Sequence, residues 1–111
     1  MTARQIIPRA RASRDIDEAI DAYLDAGAFE AARGLVDELQ AAYALLLDYP
    51  HIGSPRYAHE LNMPGLRHWK IGRYPWLVFY IVGDDRLEIL RLLDARRDIP
   101  GTLIDDADRS G

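Results

Sequence analysis

Three histidines, His51, His59 and His68, and an unusual excess of arginine are the side chains here with chemistry to offer, and no cysteine accompanies them. Without cysteine there is no thiolate nucleophile, no disulfide and no cysteine-ligated zinc or iron-sulfur site. The histidines form no i, i+4 pair on a helix, and the gap between His51 and His59 is not a ligand spacing, so no metal is expected. No G-x-S-x-G, P-loop or G-x-G-x-x-G occurs, which removes the nucleophile-elbow and nucleotide-binding readings. What remains is cationic. Lys70 is the one lysine, and the planar fork of arginine suits bidentate contact with a carboxylate or phosphate. The cations concentrate in residues 55–97, which are basic on balance, whereas the flanking stretches are acidic and bring the formal net charge to -4. Arg67, Lys70, Arg91, Arg96 and Arg97 are expected to form one functional basic patch. The competing expectation is a solvated strand end, with the arginines pairing with Glu88, Asp94 and Asp98 in exposed contacts worth only about 0–1 kcal/mol.

The elements that must position these groups are legible in the periodicity. Gln5-Ile6-Ile7 reads as a first strand closed by Pro8, which cannot donate to a ladder. Ile16, Ile20, Tyr23 and Leu24 recur at helical spacing opposite Asp17, Glu18 and Asp21. Ser13 is placed to cap that helix, Asp15 and Asp17 to favour the positive end of its dipole, and Gly27 to end it in a left-handed conformation. A second helix is predicted from Ala28 to Asp48, with Ala32, Leu35, Val36, Leu39, Ala42, Tyr43, Leu46 and Leu47 on its apolar side and Pro50 as the stop. The short link forces an antiparallel helical hairpin.

Residues 50–64 hold three prolines and no sustained period, and read as a connecting loop. Leu66 to Arg73, Trp76 to Val82 and Arg86 to Leu93 then read as three strands, joined through Gly72-Arg73-Tyr74-Pro75 and through a tight turn at Gly83-Asp84-Asp85. Trp76 to Val82 is apolar at every position, which places it inside the sheet with both faces covered. Tyr23, Tyr43, Phe79, Trp69 and Trp76 fall at core spacings and read as packing residues. The expected fold is α+β with order β-α-α-β-β-β, a helical hairpin packed on a small antiparallel sheet in two layers.

At 111 residues, 49% apolar and 29% charged, the chain suits a single globular domain that buries roughly two thirds of its unfolded surface. The expectation is one domain over 1–111, with a core at about 4–100 and a mobile tail at 101–111. The longest apolar run is far short of the roughly 20 residues of a membrane span, and the first residues lack a signal peptide's apolar segment. A cytoplasmic protein that contacts no membrane is expected.

The stretch from Pro64 to Pro100 carries an ordered set of motifs. It reads Pro64-Gly65-Leu66-Arg67, then Gly72-Arg73-Tyr74, Val78-Phe79-Tyr80, Asp84-Asp85, and finally the run from Leu87 through Ile89, Arg91 and Leu93 to Asp98. Upstream stand Ala12-x-x-Asp15-Ile16, Tyr23, and the helix exit with Leu46, Pro50, Gly53 and Pro55. Together these resemble the RelE/ParE superfamily of bacterial type II toxins, most closely the ParE branch, also called plasmid stabilisation system proteins, over residues 5 to about 100. Two positions depart from the pattern: Asp94 stands where family members commonly have histidine, and Ile81 follows Tyr80 where arginine is frequent.

The resemblance implies a toxin that inhibits growth by binding DNA gyrase, neutralised by a ParD-like antitoxin of the ribbon-helix-helix type, with no cofactor and no direct nucleic-acid contact. The alternative it offers is ribosome-dependent mRNA cleavage of the RelE type. That reaction needs a base, an acid and cations for the phosphorane charge. Arginines supply the cations, but Asp94, His68, Lys70 and the tyrosines are not placed together by the sequence, so no catalytic residue is assigned. The acidic net charge also disfavours a phosphate-bound partner. The target is expected at the patch of Arg67, Lys70, Arg91, Arg96 and Arg97. The antitoxin is expected across hairpin and sheet, at Leu39, Tyr43, Leu46, Trp69, Arg73, Trp76 and Arg91, because the second helix carries more leucine and tyrosine than one stripe can hide under so small a sheet.

Overall fold

The computed structural model describes residues 4–103. The chain runs as β1 (Gln5–Pro8), α1 (Ala10–Asp25), α2 (Phe29–Asp48), α3 (Arg56–Glu60), β2 (Leu66–Lys70), β3 (Trp76–Val82) and β4 (Arg86–Asp94). Pro8 ends β1, and α1 begins almost at once, with Arg9 at its N-cap and no side-chain cap. Ser13 therefore lies inside the first turn, where its N–H bonds to the Arg9 carbonyl, and Asp15 and Asp17 lie beyond that turn. The expected cap and dipole contacts are thus corrected, and Asp15 has another task. At the other end Gly27 adopts φ +74°. Its N–H bonds to the Leu24 carbonyl, and that of Ala28 to the Tyr23 carbonyl, the paired bonds of a Schellman stop.

The sheet has the order β1-β4-β3-β2. β2, β3 and β4 are antiparallel neighbours as expected. β1 departs from the expected pattern by pairing parallel to β4, Gln5 beside Arg86 and Pro8 beside Ile89. The chain leaves β1 through the helical hairpin, enters the sheet at its far edge and meanders back, so β4 arrives beside β1 in the same direction. The β3/β4 register shifts between Phe79, opposite Arg91, and Tyr80, opposite Ile89. Leu90 is left as the extra residue of a bulge.

Both faces of the sheet are covered, which accounts for the unbroken apolar run of β3. On one face Leu35, Leu39, Ala42 and Leu46 of α2 and Ala12 and Ala19 of α1 meet Ile71, Val78, Tyr80, Leu87, Ile89 and Leu92. On the other, Leu66, Phe79 and Leu93 meet Ile99 and Leu103, with Tyr57, Ala58, Leu61 and Met63 packed beside them. The two-layer expectation thus lacked a partial third layer. Its helix, α3, is too short for a periodic signal and lies in the stretch expected to be loop. Of the expected tail, residues 101–103 continue a helical turn and Leu103 is buried; residues 104–111 lie outside the described residues.

Candidate functional site

Arg91 is the largest correction to the expected patch. It is 3% exposed and Asp15 6%. Its Nε donates to Asp15 Oδ2 at 2.7 Å and its Nη2 to Oδ1 at 3.1 Å, while the Leu92 N–H donates to the same Oδ2 at 3.0 Å. Arg11, one turn before Asp15, approaches it at 3.7 Å. Arg91 therefore ties β4 to α1 inside the fold and presents no guanidinium to a target or an antitoxin.

Arg67 and Lys70 do not share a surface. Arg67 and Lys70 stand three positions apart on β2, which puts them on opposite faces of the strand. Arg67 donates to the carbonyls of His51 and Gly53 at 3.0 and 2.7 Å, holding the segment that leads out of α2. Lys70 is exposed. In the turn after β4, Arg96 chelates Asp94 through Nε at 2.9 Å and Nη2 at 2.6 Å, and its own N–H reaches Asp94 Oδ1 at 2.9 Å. Those bonds hold the Asp94 carboxyl down at about 2. The solvated pairing expected of the strand end is therefore realised for Asp94 alone. Glu88 pairs with Arg9, the residue that follows β1, and Asp98 accepts from the Gly101 N–H. Arg97 is exposed and forms no ion pair among the described residues.

The expected antitoxin residues divide in the same way. Leu39 and Leu46 are buried in the core, so with Arg91 they offer no surface. Tyr43, Trp69 and Trp76 are half-buried and Arg73 is exposed. Burial pushes the Tyr43 phenol up, and its hydroxyl has no hydrogen-bond partner among the described residues. The apolar excess expected on α2 is smaller than its composition suggests. On the hairpin it reduces to Phe29, 66% exposed, together with Leu24 and Val36.

His68 packs its ring against Tyr57 and Phe79, at 5.4 Å from each centroid, on the face away from the hairpin. Burial first, and Arg56 second, push its pKa below the usual imidazole value.

Among the described residues there is also a concavity that the sequence did not suggest. A cleft of about 130 Å³ runs between α1 and the end of the sheet, lined by Arg11, Asp15, Glu18, Ala19 and Ala22 on one wall and Trp76, Leu92, Asp94 and Arg97 on the other. Its aromatic wall is fixed, because Trp76 Nε1–H donates to the Tyr23 hydroxyl at 3.1 Å and Tyr23 meets Tyr74 edge-on. The signal that could have found it is the i, i+4 spacing of Arg11, Asp15 and Ala19, with Glu18 and Ala22 beside them on the same side of α1.

The model of the ParE toxin of type II toxin-antitoxin systems, parDE, matches residues 6–99. Among solved structures, the chain is similar to one described as the chromosomal ParDE TA system from P. aeruginosa, at 22% identity and a TM-score of 0.65, over 81% of this chain and 94% of that one. That likeness supports the fold. The comparison with curated proteins gives no match.

Proposed function

The chain belongs to the ParE toxin family of type II toxin-antitoxin systems, and on that footing we propose that it arrests bacterial growth by binding DNA gyrase and is neutralised by a ParD-like antitoxin. The observation that favours a binding toxin over a ribonuclease is how its titratable groups are committed. Cleaving RNA through its own 2′-hydroxyl calls for an acid, a base and cations around one phosphate. Asp94, where relatives commonly carry histidine, is held ionised by Arg96 to about 2, which makes it a feeble base. His68 packs in a tilted three-ring cluster with Tyr57 and Phe79, Arg91 is committed to Asp15, and Arg67 to two carbonyls. Inhibition by binding needs none of these groups, only exposed side chains such as Lys70, Arg73, Arg96 and Arg97.

The antitoxin is best accommodated by the half-buried aromatics Tyr43, Trp69 and Trp76 and by Arg73. A partner that binds only the folded toxin also stabilises it by mass action. The test is induction of the chain without a partner, together with a supercoiling assay on purified gyrase. Filamentation, a DNA-damage response and lost supercoiling are expected. Protein synthesis collapsing within minutes, with DNA intact and gyrase unaffected, would replace this proposal with the RelE-type ribonuclease.

A further inference from the structure

We infer that the cleft between α1 and the end of β4 is a receptor for one acidic side chain of the antitoxin, which it captures between Arg11 and Arg97 against the face of Trp76. The inference rests on the antitoxin reading above and names the contact by which neutralisation would act.

The charges in the cleft are not equivalent once their partners are considered. Asp15 is taken by Arg91 and the Leu92 N–H, and Asp94 by Arg96. Among the described residues Arg97 has no carboxylate within ion-pair distance, and Glu18 has no cation. Arg11 has only the long 3.7 Å approach to an Asp15 already held by another arginine. Two arginines with bonding capacity to spare therefore face a single uncommitted carboxylate, and the cleft favours an anion. Charge-assisted bonds from a guanidinium fork to a carboxylate are the strong ones.

Size and lining identify which anion. Sites for drug-sized ligands run to about 300–1,000 Å³, so a cleft of about 130 Å³ suits one side chain rather than a cofactor or nucleotide. Leu92, Ala19, Ala22 and Trp76 give it apolar walls, which match the methylenes of a glutamate and offer nothing to a bare phosphate. Glu18 and Asp94, also in the lining, repel a polyanion more than a single carboxylate. The site lies at the turn that carries Arg96 and Arg97. An acidic residue seated here covers Arg97, so antitoxin and target would compete for the same guanidinium.

The experiment titrates the purified full chain with N-acetyl-glutamate amide, N-acetyl-glutamine amide and inorganic phosphate, following the indole N–H resonances of Trp76 and Trp69. The glutamate probe is expected to shift Trp76, leave Trp69 unchanged, and bind at least about tenfold more tightly than the glutamine probe, with Arg97→Gln and Arg11→Gln each removing that preference. Equal binding of the two amides, tighter binding of phosphate, or an unchanged preference in both variants overturns the inference. A second arm separates it from the antitoxin reading, using the protein encoded beside this chain. If that protein binds wild type and the Arg11→Gln/Arg97→Gln variant equally, the receptor is refuted and the antitoxin reading stands. If it binds wild type at least about tenfold more tightly, both are supported. If it does not bind wild type, the antitoxin reading fails and the inference fails with it.

Discussion

Replacing Asp15 by asparagine removes the charge that faces a buried guanidinium at nearly constant shape. In the native fold Asp15 accepts from Arg91 twice, at 2.7 and 3.1 Å, and from the Leu92 N–H at 3.0 Å. Both side chains are almost fully buried, 6% and 4% exposed. The asparagine can still accept from the Leu92 N–H, but the substitution removes the charge and turns an amide N–H₂ toward Arg91. Breaking a buried pair by removing one partner costs about 3–5 kcal/mol, because the remaining charge loses an interaction that offset its desolvation. Against a total of about 5–15 kcal/mol for a domain, that is a large fraction. At about 4–8 °C per kcal/mol for a small domain, and somewhat less at this size, the melting temperature should fall by about 10–30 °C. Urea denaturation of Asp15→Asn, Arg91→Met and the Asp15→Leu/Arg91→Met double variant should show strong coupling, the double costing less than the sum of the two single changes. Arg86→Gln, which removes the exposed contact to Asp85 at 3.4 Å, is the control and should cost less than about 1 kcal/mol. A loss below about 1 kcal/mol for Asp15→Asn would refute the reasoning, as it would make the pair no better than a surface contact.

Other outcomes follow from the same geometry. The His68 pKa is lowered in the fold, so the unfolded chain takes up the proton first as pH falls. The stability His68 lends above its unfolded pKa of about 6.5 is therefore lost below it, and the decline in melting temperature from about pH 7 to about pH 5.5 should be shallower in His68→Phe; equal slopes would exclude the effect. A Cβ on Gly53 would lie 2.8 Å from the His68 carbonyl oxygen and against the Tyr80 hydroxyl, so Gly53→Ala should destabilise by about 1–3 kcal/mol in denaturant titration. Tyr80→Phe removes the acceptor for the Gly53 N–H and the donor to the Pro50 carbonyl, and should cost about 1–3 kcal/mol. The Arg96→Ala/Arg97→Ala variant should keep a melting temperature close to that of wild type while losing growth arrest, and retained arrest would remove these arginines from the target surface.

The helical hairpin, the strand order along the chain and the buried β3 were legible because each rests on a period or a punctuating glycine or proline. Ile16, Ile20 and Tyr23 mark one face of α1, and Gly27 its end. The parallel placement of β1 was not legible, because no local pattern records which edge a strand joins. Nor was α3, whose five residues are too few for a repeat to betray them. The Ser13 cap failed for a related reason: with Pro8 ending β1 and Arg9 alone between the elements, α1 starts before any capping residue occurs. The candidate patch divides where charge was read without register. Arg67 and Lys70 look close in sequence and lie on opposite faces of β2, and Arg91 looks like a surface cation until Asp15, from α1 at the other end of the chain, arrives beside it.

The ordered motif itself has a physical reading that follows from these corrections. Asp15 of A-x-x-D and Arg91 of the β4 run are the two halves of one buried pair. Arg67 of P-G-x-R holds the carbonyls of His51 and Gly53, and Tyr80 of V-F-Y bonds Gly53 of the helix exit. Tyr74 of G-x-Y donates to the Ala31 carbonyl at 2.7 Å and packs where Gly34 leaves room for its ring hydroxyl. The positions that make the family recognisable in this chain are thus the ones that fasten helix to sheet and loop to strand. A motif built of such contacts reports the fold and is silent about the target. Specificity must then be carried by side chains the motif leaves exposed. Here the exposed ones are Arg73, Arg96, Arg97 and Lys70 around the open ends of β2 and β4, and substitutions there should change partners without changing the fold.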